Sequence, residues 1–421
     1  MPHLGRTRRA GRSVALLTAT LLAVPALGGC GGRASDAPAA DPSAVAASPS
    51  GSASPAAGPA SPGASAPASP GAAHAVADPG PLRLPLRTAD VLLVDDRPLT
   101  PRLLERIRGL KGVQSVTSLS IAKVSIENRA LTLAAVDAAS YRRLTPQASA
   151  QAQSVWRRVA GGEIAALPGL RKTLPIDREG YLRLGNDDSD ARLHVGAYAP
   201  QVPSIDLVVN ESWGRDLRMP AGNAVVVSTG IASPTKVRGQ IRRLAPAGAS
   251  VQGLDAVARY GLDPGATQTA FVVGSVADAV GSFTYSVLGG GRIAPAPAWV
   301  ASHIGTETMP IIGRMTCNTK IFPQLRAALL EIQQVGLASK IFPGQYAGCY
   351  YPRFIAGTTT LSNHSFGLAF DVNVPGNQRG TVGQIDRGVV AIFKKWGFAW
   401  GGDWNYTDPM HFELARLVAP R

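Results

Sequence analysis

Apolar and polar positions change rhythm along this chain, and the changes divide it. Between residue 82 and about 255, short apolar runs alternate with stretches of helical period. Ala89-Asp90-Val91-Leu92-Leu93-Val94 reads as a strand, and Thr100-Pro101 opens a helix with Leu103, Leu104, Ile107 and Leu110 on its apolar face before Gly112 stops it. Val113 to Ile126 returns to strand character. The order repeats downstream, with strand Ala224 to Ser228, helix start Ser233-Pro234, apolar Val237 and Ile241, and a break at Pro246-Ala247-Gly248. Two such units in one segment predict an α+β sandwich of ferredoxin-like kind over residues 81–255.

From residue 268 to 421 the pattern differs. A helix is expected from Pro323 to about Val335, with Leu325, Leu329 and Ile332 on one face and Gly336 at its end, and another from about Ile385 to Trp396, stopped by Gly397. From Leu368 to Val374 the residues alternate, which sends Leu368, Phe370, Val372 and Val374 inward and puts Asp371 on the opposite face. His411-Phe412-Glu413-Leu414 alternates again, with Phe412 and Leu414 inward. Trp396, Trp400 and Trp404 cluster nearby and are expected to form core and cleft wall, with Asp403 and Trp404 shaping the cleft floor.

Residues 31–80 are almost all Ala, Ser, Pro, Gly and Asp, a composition that predicts a disordered tether. Ahead of it stand Arg6, Arg8, Arg9 and Arg12, an apolar run from Val14 to Leu27, and Gly28-Gly29-Cys30. That arrangement reads as a secretory signal over residues 1–30, and Leu27-Gly28-Gly29-Cys30 resembles a bacterial lipobox with Cys30 as the lipidated residue. The expectation is an extracytoplasmic lipoprotein, anchored to the bacterial membrane at Cys30 and facing the cell wall. Cys317 and Cys349 remain, and in an exported chain they are expected to pair as a disulfide, two separate buried thiols being the alternative. The formal net charge is +14, but the basic residues are scattered without long runs, which argues against a nucleic-acid partner. No run past the first 30 residues is apolar enough to span a bilayer, which excludes a polytopic membrane protein.

The chemistry concentrates in Ser362-Asn363-His364-Ser365-Phe366-Gly367-Leu368-Ala369-Phe370-Asp371 and in Asp408-Pro409-Met410-His411. Gly367 permits a turn that folds His364 back beside Asp371, and a neighbouring strand brings His411. Two imidazoles and one carboxylate make a three-ligand zinc site with a fourth position open to water. Asp408 is placed to take the water proton and pass it to a leaving amine; Glu413 competes for that role but suits a supporting position behind His411.

These residues resemble the zinc peptidases that include the D-alanyl-D-alanine carboxypeptidases and L-alanyl-D-glutamate peptidases of bacterial cell walls and phage endolysins. The signature S-x-H-x-x-G-x-A-x-D is matched by Ser362, His364, Gly367, Ala369 and Asp371, and the later acid and His by Asp408 and His411. The resemblance implies a zinc peptidase domain over 268–421 with a small antiparallel sheet and flanking helices. It implies zinc on His364, Asp371 and His411, Asp408 as base, and an upstream Arg for substrate and oxyanion, for which Arg353 is the nearest match. Ser362 and Trp404 are expected at the substrate. The implied substrates are peptidoglycan stem peptides, with L-alanyl-D-glutamate cleavage slightly favoured over D-alanyl-D-alanine trimming. A non-catalytic zinc-containing wall-binding lipoprotein is the alternative; a non-haem iron oxygenase is disfavoured by the seven-residue step from His364 to Asp371. Residues 156–163 and Trp213-Gly214 resemble the extracytoplasmic domain of permeases of the lipoprotein-release and macrolide-export group, from which no function is carried over. A partner for residues 81–255 stays open.

Overall fold

Strand β1 (Val91–Val94) is buried along its whole length, which explains an apolar run without alternation. The helix Pro101–Arg108 follows, its first turn capped by the Thr100 side chain, which accepts from the Leu103 amide at 3.2 Å. β2 (Ser115–Ile126) and β3 (Arg129–Val136) form a long antiparallel hairpin with the two-residue tip Glu127-Asn128, where Glu127 has a φ of 40°. β4 (Ala224–Ser228), the helix Pro234–Leu244 and β5 (Ser250–Gly253) repeat the first unit. The four strands stand in the order β5–β1–β4–β2, and every neighbouring pair is antiparallel. Val91, Leu93, Val225 and Val227 pack with Leu103, Ile107, Val237 and Ile241 of the two helices. Leu92, Val94, Ala224 and Val226 feed a separate core with Trp156.

The sheet continues past these units. Beyond β3 it takes in strands between residues 164 and 210, and on its other side β6 (Gln268–Val273) runs parallel to β2, with Val272 opposite Lys123 and Val273 opposite Val124. By sequence β6 opens the C-terminal segment, yet it is stitched into the sheet of the preceding one.

The structure is a computed structural model and describes residues 71–420. The expected signal region, Cys30, and residues 31–70 of the expected tether lie outside the described residues. Residues 71–80 correct the expected tether, because they pack onto the neighbouring helix and loop. His74 stacks on Trp213 with ring centroids 3.4 Å apart, the Val76 amide bonds the Ala160 carbonyl, and the Gly80 carbonyl accepts from Gln153 and Arg142.

Toward the C-terminus, β7 (Ala369–Asp371), β8 (Phe398–Trp400) and β9 (His411–Leu414) form a small antiparallel sheet with β9 in the centre. Its inner face is aromatic: Phe370, Phe398 and Phe412 meet Phe393 of the helix Arg387–Lys395, with ring centroids 4.7 to 6.1 Å apart. The helix Phe322–Gln334 buries Leu325, Leu329 and Ile332 in the same core. β7 is shorter than the alternation suggested. Asn373 turns the chain at a φ of 52°, leaving Val374 only half-buried. Cys317 and Cys349 are joined as a disulfide with their Cα atoms 5.4 Å apart. Among the described residues no helix is long and apolar enough to cross a membrane.

The disulfide closes a segment 32 residues long inside the core that supports the second sheet. Replacing both cysteines by Ala is expected to lower stability by about 3 to 4 kcal/mol on loop-entropy grounds. Thermal unfolding monitored by circular dichroism would check this; an unchanged midpoint would remove the bridge from the list of supports.

Candidate metal centre

Strand register builds the first half of the site. β7 and β9 pair so that Asp371 stands opposite His411, and both side chains leave the face away from the phenylalanine core. His364 arrives from the 3-10 turn Asn363–Phe366, which is capped by the Ser362 side chain and closed by Gly367 at a φ of 67°. A Cβ on Gly367 would lie 2.6 Å from the Asn318 backbone nitrogen, so only glycine fits this turn. The Asp371 Oδ1 lies 3.1 Å from His411 Nδ1, its Oδ2 lies 3.3 Å from His364 Nε2, and the two imidazoles approach to 3.2 Å. One ligand atom from each of the three residues falls within 4.8 Å of the other two, so the group can hold a metal ion.

Each ring is fixed from behind. His364 Nδ1 donates to the Cys349 carbonyl at 2.8 Å, and His411 Nε2 donates to Glu413 Oε2 at 2.8 Å. Those bonds leave His364 Nε2 and His411 Nδ1 facing Asp371 with their lone pairs free for a metal. Glu413 has no exposed surface, and its other oxygen accepts from Asn186 Nδ2 at 2.6 Å. Glu413 thus stands hydrogen-bonded behind the His411 ring.

Asp408 is 6 % exposed and enters from the loop before β9, where its amide bonds the Gly401 carbonyl at 2.7 Å. Its Oδ2 lies 3.4 Å from Arg379 Nε, while its buried Oδ1 has no hydrogen-bond partner among the described residues. Burial pushes the Asp408 carboxyl above its ordinary range; attraction to His411 and repulsion from Asp371 act on it as well. Burial also pushes Asp371 up, but hydrogen bonds and attraction from His364 and His411 outweigh it and hold that carboxyl well below the usual range. Burial opposes charge on His411, yet its bonds to Asp371 and Glu413 raise its pKa to about 10. Tyr346 is raised to about 12 by burial and by the Asp371 charge beside it.

The residues fit a metal on chemical grounds. Three carboxylates, two of them buried and Asp371 half-buried, stand with two buried imidazoles, and the guanidinium beside Asp408, on Arg379, is 48 % exposed. A divalent cation would offset that charge, and two nitrogens with one oxygen suit a borderline ion. The orphaned Asp408 Oδ1 leaves an acceptor for a water or substrate proton.

Several expected residues sit elsewhere. Ser362 is fully buried, with its hydroxyl donating to Asn128 Oδ1 at 2.8 Å and its side chain capping the His364 turn. The Arg353 guanidinium bonds the Phe354 carbonyl and lies over the Tyr351 ring. Asp403 is exposed and pairs with Lys394, away from the cleft. Trp404 does stand at the site, its ring centroid 5.1 Å from that of His411, while Trp400 is buried and bonds the Pro409 carbonyl. Arg379, Tyr346, Asn128 and Asn186 were not found from sequence. They lie in polar stretches without periodicity, and no spacing marks them.

Residues 356–414 match the family model of D-alanyl-D-alanine carboxypeptidases. The match covers His364, Asp371, Asp408 and His411 and supports a C-terminal peptidase domain of that family. No curated protein sequence matches the chain. The solved periplasmic region of MacB from Actinobacillus actinomycetemcomitans aligns with 41 % of this chain and 92 % of its own, at 11 % identity and a TM-score of 0.23, which decides nothing about this fold.

Substituting His411 by Ala removes one of the two nitrogens that can hold a metal ion and leaves Glu413 buried without its imidazole partner. Metal uptake in equilibrium dialysis is expected to fall from one divalent ion per chain to near none. Retention of the ion by this variant would move the site elsewhere.

Proposed function

We propose that the protein is a zinc-dependent peptidase that hydrolyses peptidoglycan stem peptides at a bond next to a D-amino acid. One observation carries this reading: the family match falls on four residues that converge in a single buried place. Zinc bound by His364, Asp371 and His411 would supply Lewis acidity and lower the pKa of a water. Asp408 accepts the proton on its unbonded Oδ1 and returns it to the leaving amine. Arg379 sits beside that carboxylate with a half-exposed guanidinium, suited to a substrate carboxylate or a developing oxyanion. Trp404 and Tyr346 flank the same space.

A purely structural metal site has no use for a buried carboxyl with an unbonded oxygen, which favours hydrolysis over a non-catalytic wall-binding role. Asp as base, the run Trp400-Gly401-Gly402-Asp403-Trp404 and the ending His411-Phe412-Glu413 favour L-alanyl-D-glutamate cleavage over carboxypeptidase trimming. We read the accessory strands β1, β2, β4 and β5 with their two helices as ferredoxin-like, and the chain as exported and lipid-anchored at Cys30. The disulfide suits an oxidising compartment.

Mass spectrometry after the zinc-loaded protein meets a defined pentapeptide muropeptide tests the activity. A cut between L-Ala and D-Glu is expected; loss of one terminal alanine would make it a carboxypeptidase, and no product with zinc in place would favour the binding role. Asp408→Asn is expected to lower turnover roughly 100-fold or more while zinc stays bound. In the parent enzyme, turnover should rise with pH through an Asp408 titration above the ordinary 3.8, because only the ionised carboxylate accepts a proton. A rate indifferent to this substitution would take the base role from Asp408.

A further inference from the structure

The tip of the β2–β3 hairpin reaches both segments that carry the metal-ligating histidines. Asn128 Oδ1 accepts from the Ser362 hydroxyl at 2.8 Å and from the Asn363 amide at 2.9 Å, at the start of the turn that presents His364. Ser125 Oγ exchanges hydrogen bonds with the Asn363 side chain at 2.7 and 2.9 Å, and the Ala130 amide bonds the Leu361 carbonyl. On the other segment, Asn186 uses both ends of its amide: Oδ1 accepts from the Glu127 backbone at 2.8 Å, and Nδ2 donates to Glu413 at 2.6 Å. Glu413 in turn holds His411.

We infer that the accessory sheet completes the metal centre, with Asn186 a positioning residue that aims His411 through Glu413 and Asn128 one that aims His364 through Ser362. The inference rests on the metallopeptidase reading above. Chemistry supports the amide at position 186. Glu413 is fully buried, so its second oxygen needs a hydrogen-bond donor beside it. A cationic donor there would weaken the pull of Glu413 on the His411 N–H, and a second carboxylate would repel it. A neutral amide satisfies the oxygen and leaves the negative charge to act on the imidazole.

The test uses the whole chain. Zinc affinity is measured by chelator competition, and the visible spectrum of the Co2+-substituted protein reports ligand geometry. Asn186→Leu is expected to raise the zinc dissociation constant roughly ten- to hundredfold and to shift the Co2+ spectrum. Asn128→Ala, a smaller change at a half-buried turn, should move both in the same direction. Arg416→Ala removes an ion pair with Asp187 at the same seam without touching a ligand or its partner, and should leave zinc affinity within about twofold. Parent-like affinity and spectrum in Asn186→Leu, with zinc bound normally by the parent, would overturn the positioning role alone. An equal loss in Arg416→Ala would also overturn it, by reducing the effect to general loosening of the seam. Failure of the parent protein to bind zinc would overturn the metal reading itself, and this inference with it.

Discussion

Three carboxylates, Asp408 and Glu413 buried and Asp371 half-buried, stand around two imidazoles and set the terms for the C-terminal half of this protein. Asp371, Asp408 and Glu413 cannot share a low-dielectric space unless positive charge or directed hydrogen bonds meet each of them. The surroundings answer one by one. Asp371 is met by both histidines, Glu413 by His411 and Asn186, and Asp408 by Arg379 on one oxygen alone. The incomplete answer at Asp408 leaves one buried oxygen unbonded, and the complete answer at Glu413 occupies both of its oxygens.

The complete answer has a source outside the small sheet. β2 spans twelve residues, about 40 Å of strand, and is paired along its whole length, with β4 at Ser115–Leu119 and with β3 at Ser120–Ile126. The hairpin tip carries Asn128 and holds Asn186 through the Glu127 amide, so both asparagines are tied to that sheet. The disulfide plays the matching role on the far side of His364, where Cys349 supplies the carbonyl that fixes its ring. Each ligand histidine is thus braced by an element remote from it in sequence.

Local pattern and motif spacing were enough to read much of this from sequence. The strand Ala224–Ser228 has the bounds its apolar run implied, and the helices at Pro101, Pro234 and Phe322 begin at their prolines or one residue before. Of the signature residues, His364, Asp371 and His411 lie close enough together to hold a metal ion, and the Asp408 carboxyl feels the charges of all three. What escaped were pairings between distant polar residues. A single asparagine such as Asn186 carries no periodic mark, and its meaning appears only when Glu413 lies 2.6 Å away. Arg353 precedes the motif in the chain, whereas Arg379, which follows it in a polar loop, is the guanidinium beside Asp408. His74, embedded in a low-complexity stretch, packs because Trp213 offers a ring that composition cannot reveal.

The two asparagines also precede their partners in the chain, by 234 residues for Asn128 and Ser362 and by 227 for Asn186 and Glu413. A polypeptide is made from its amino end, and domains tend to fold in that order. The hairpin can therefore be a finished template when the ligand-bearing segments emerge, so that the late, charged and costly part of the molecule condenses onto a surface already rigid. Vectorial synthesis and site geometry point the same way here.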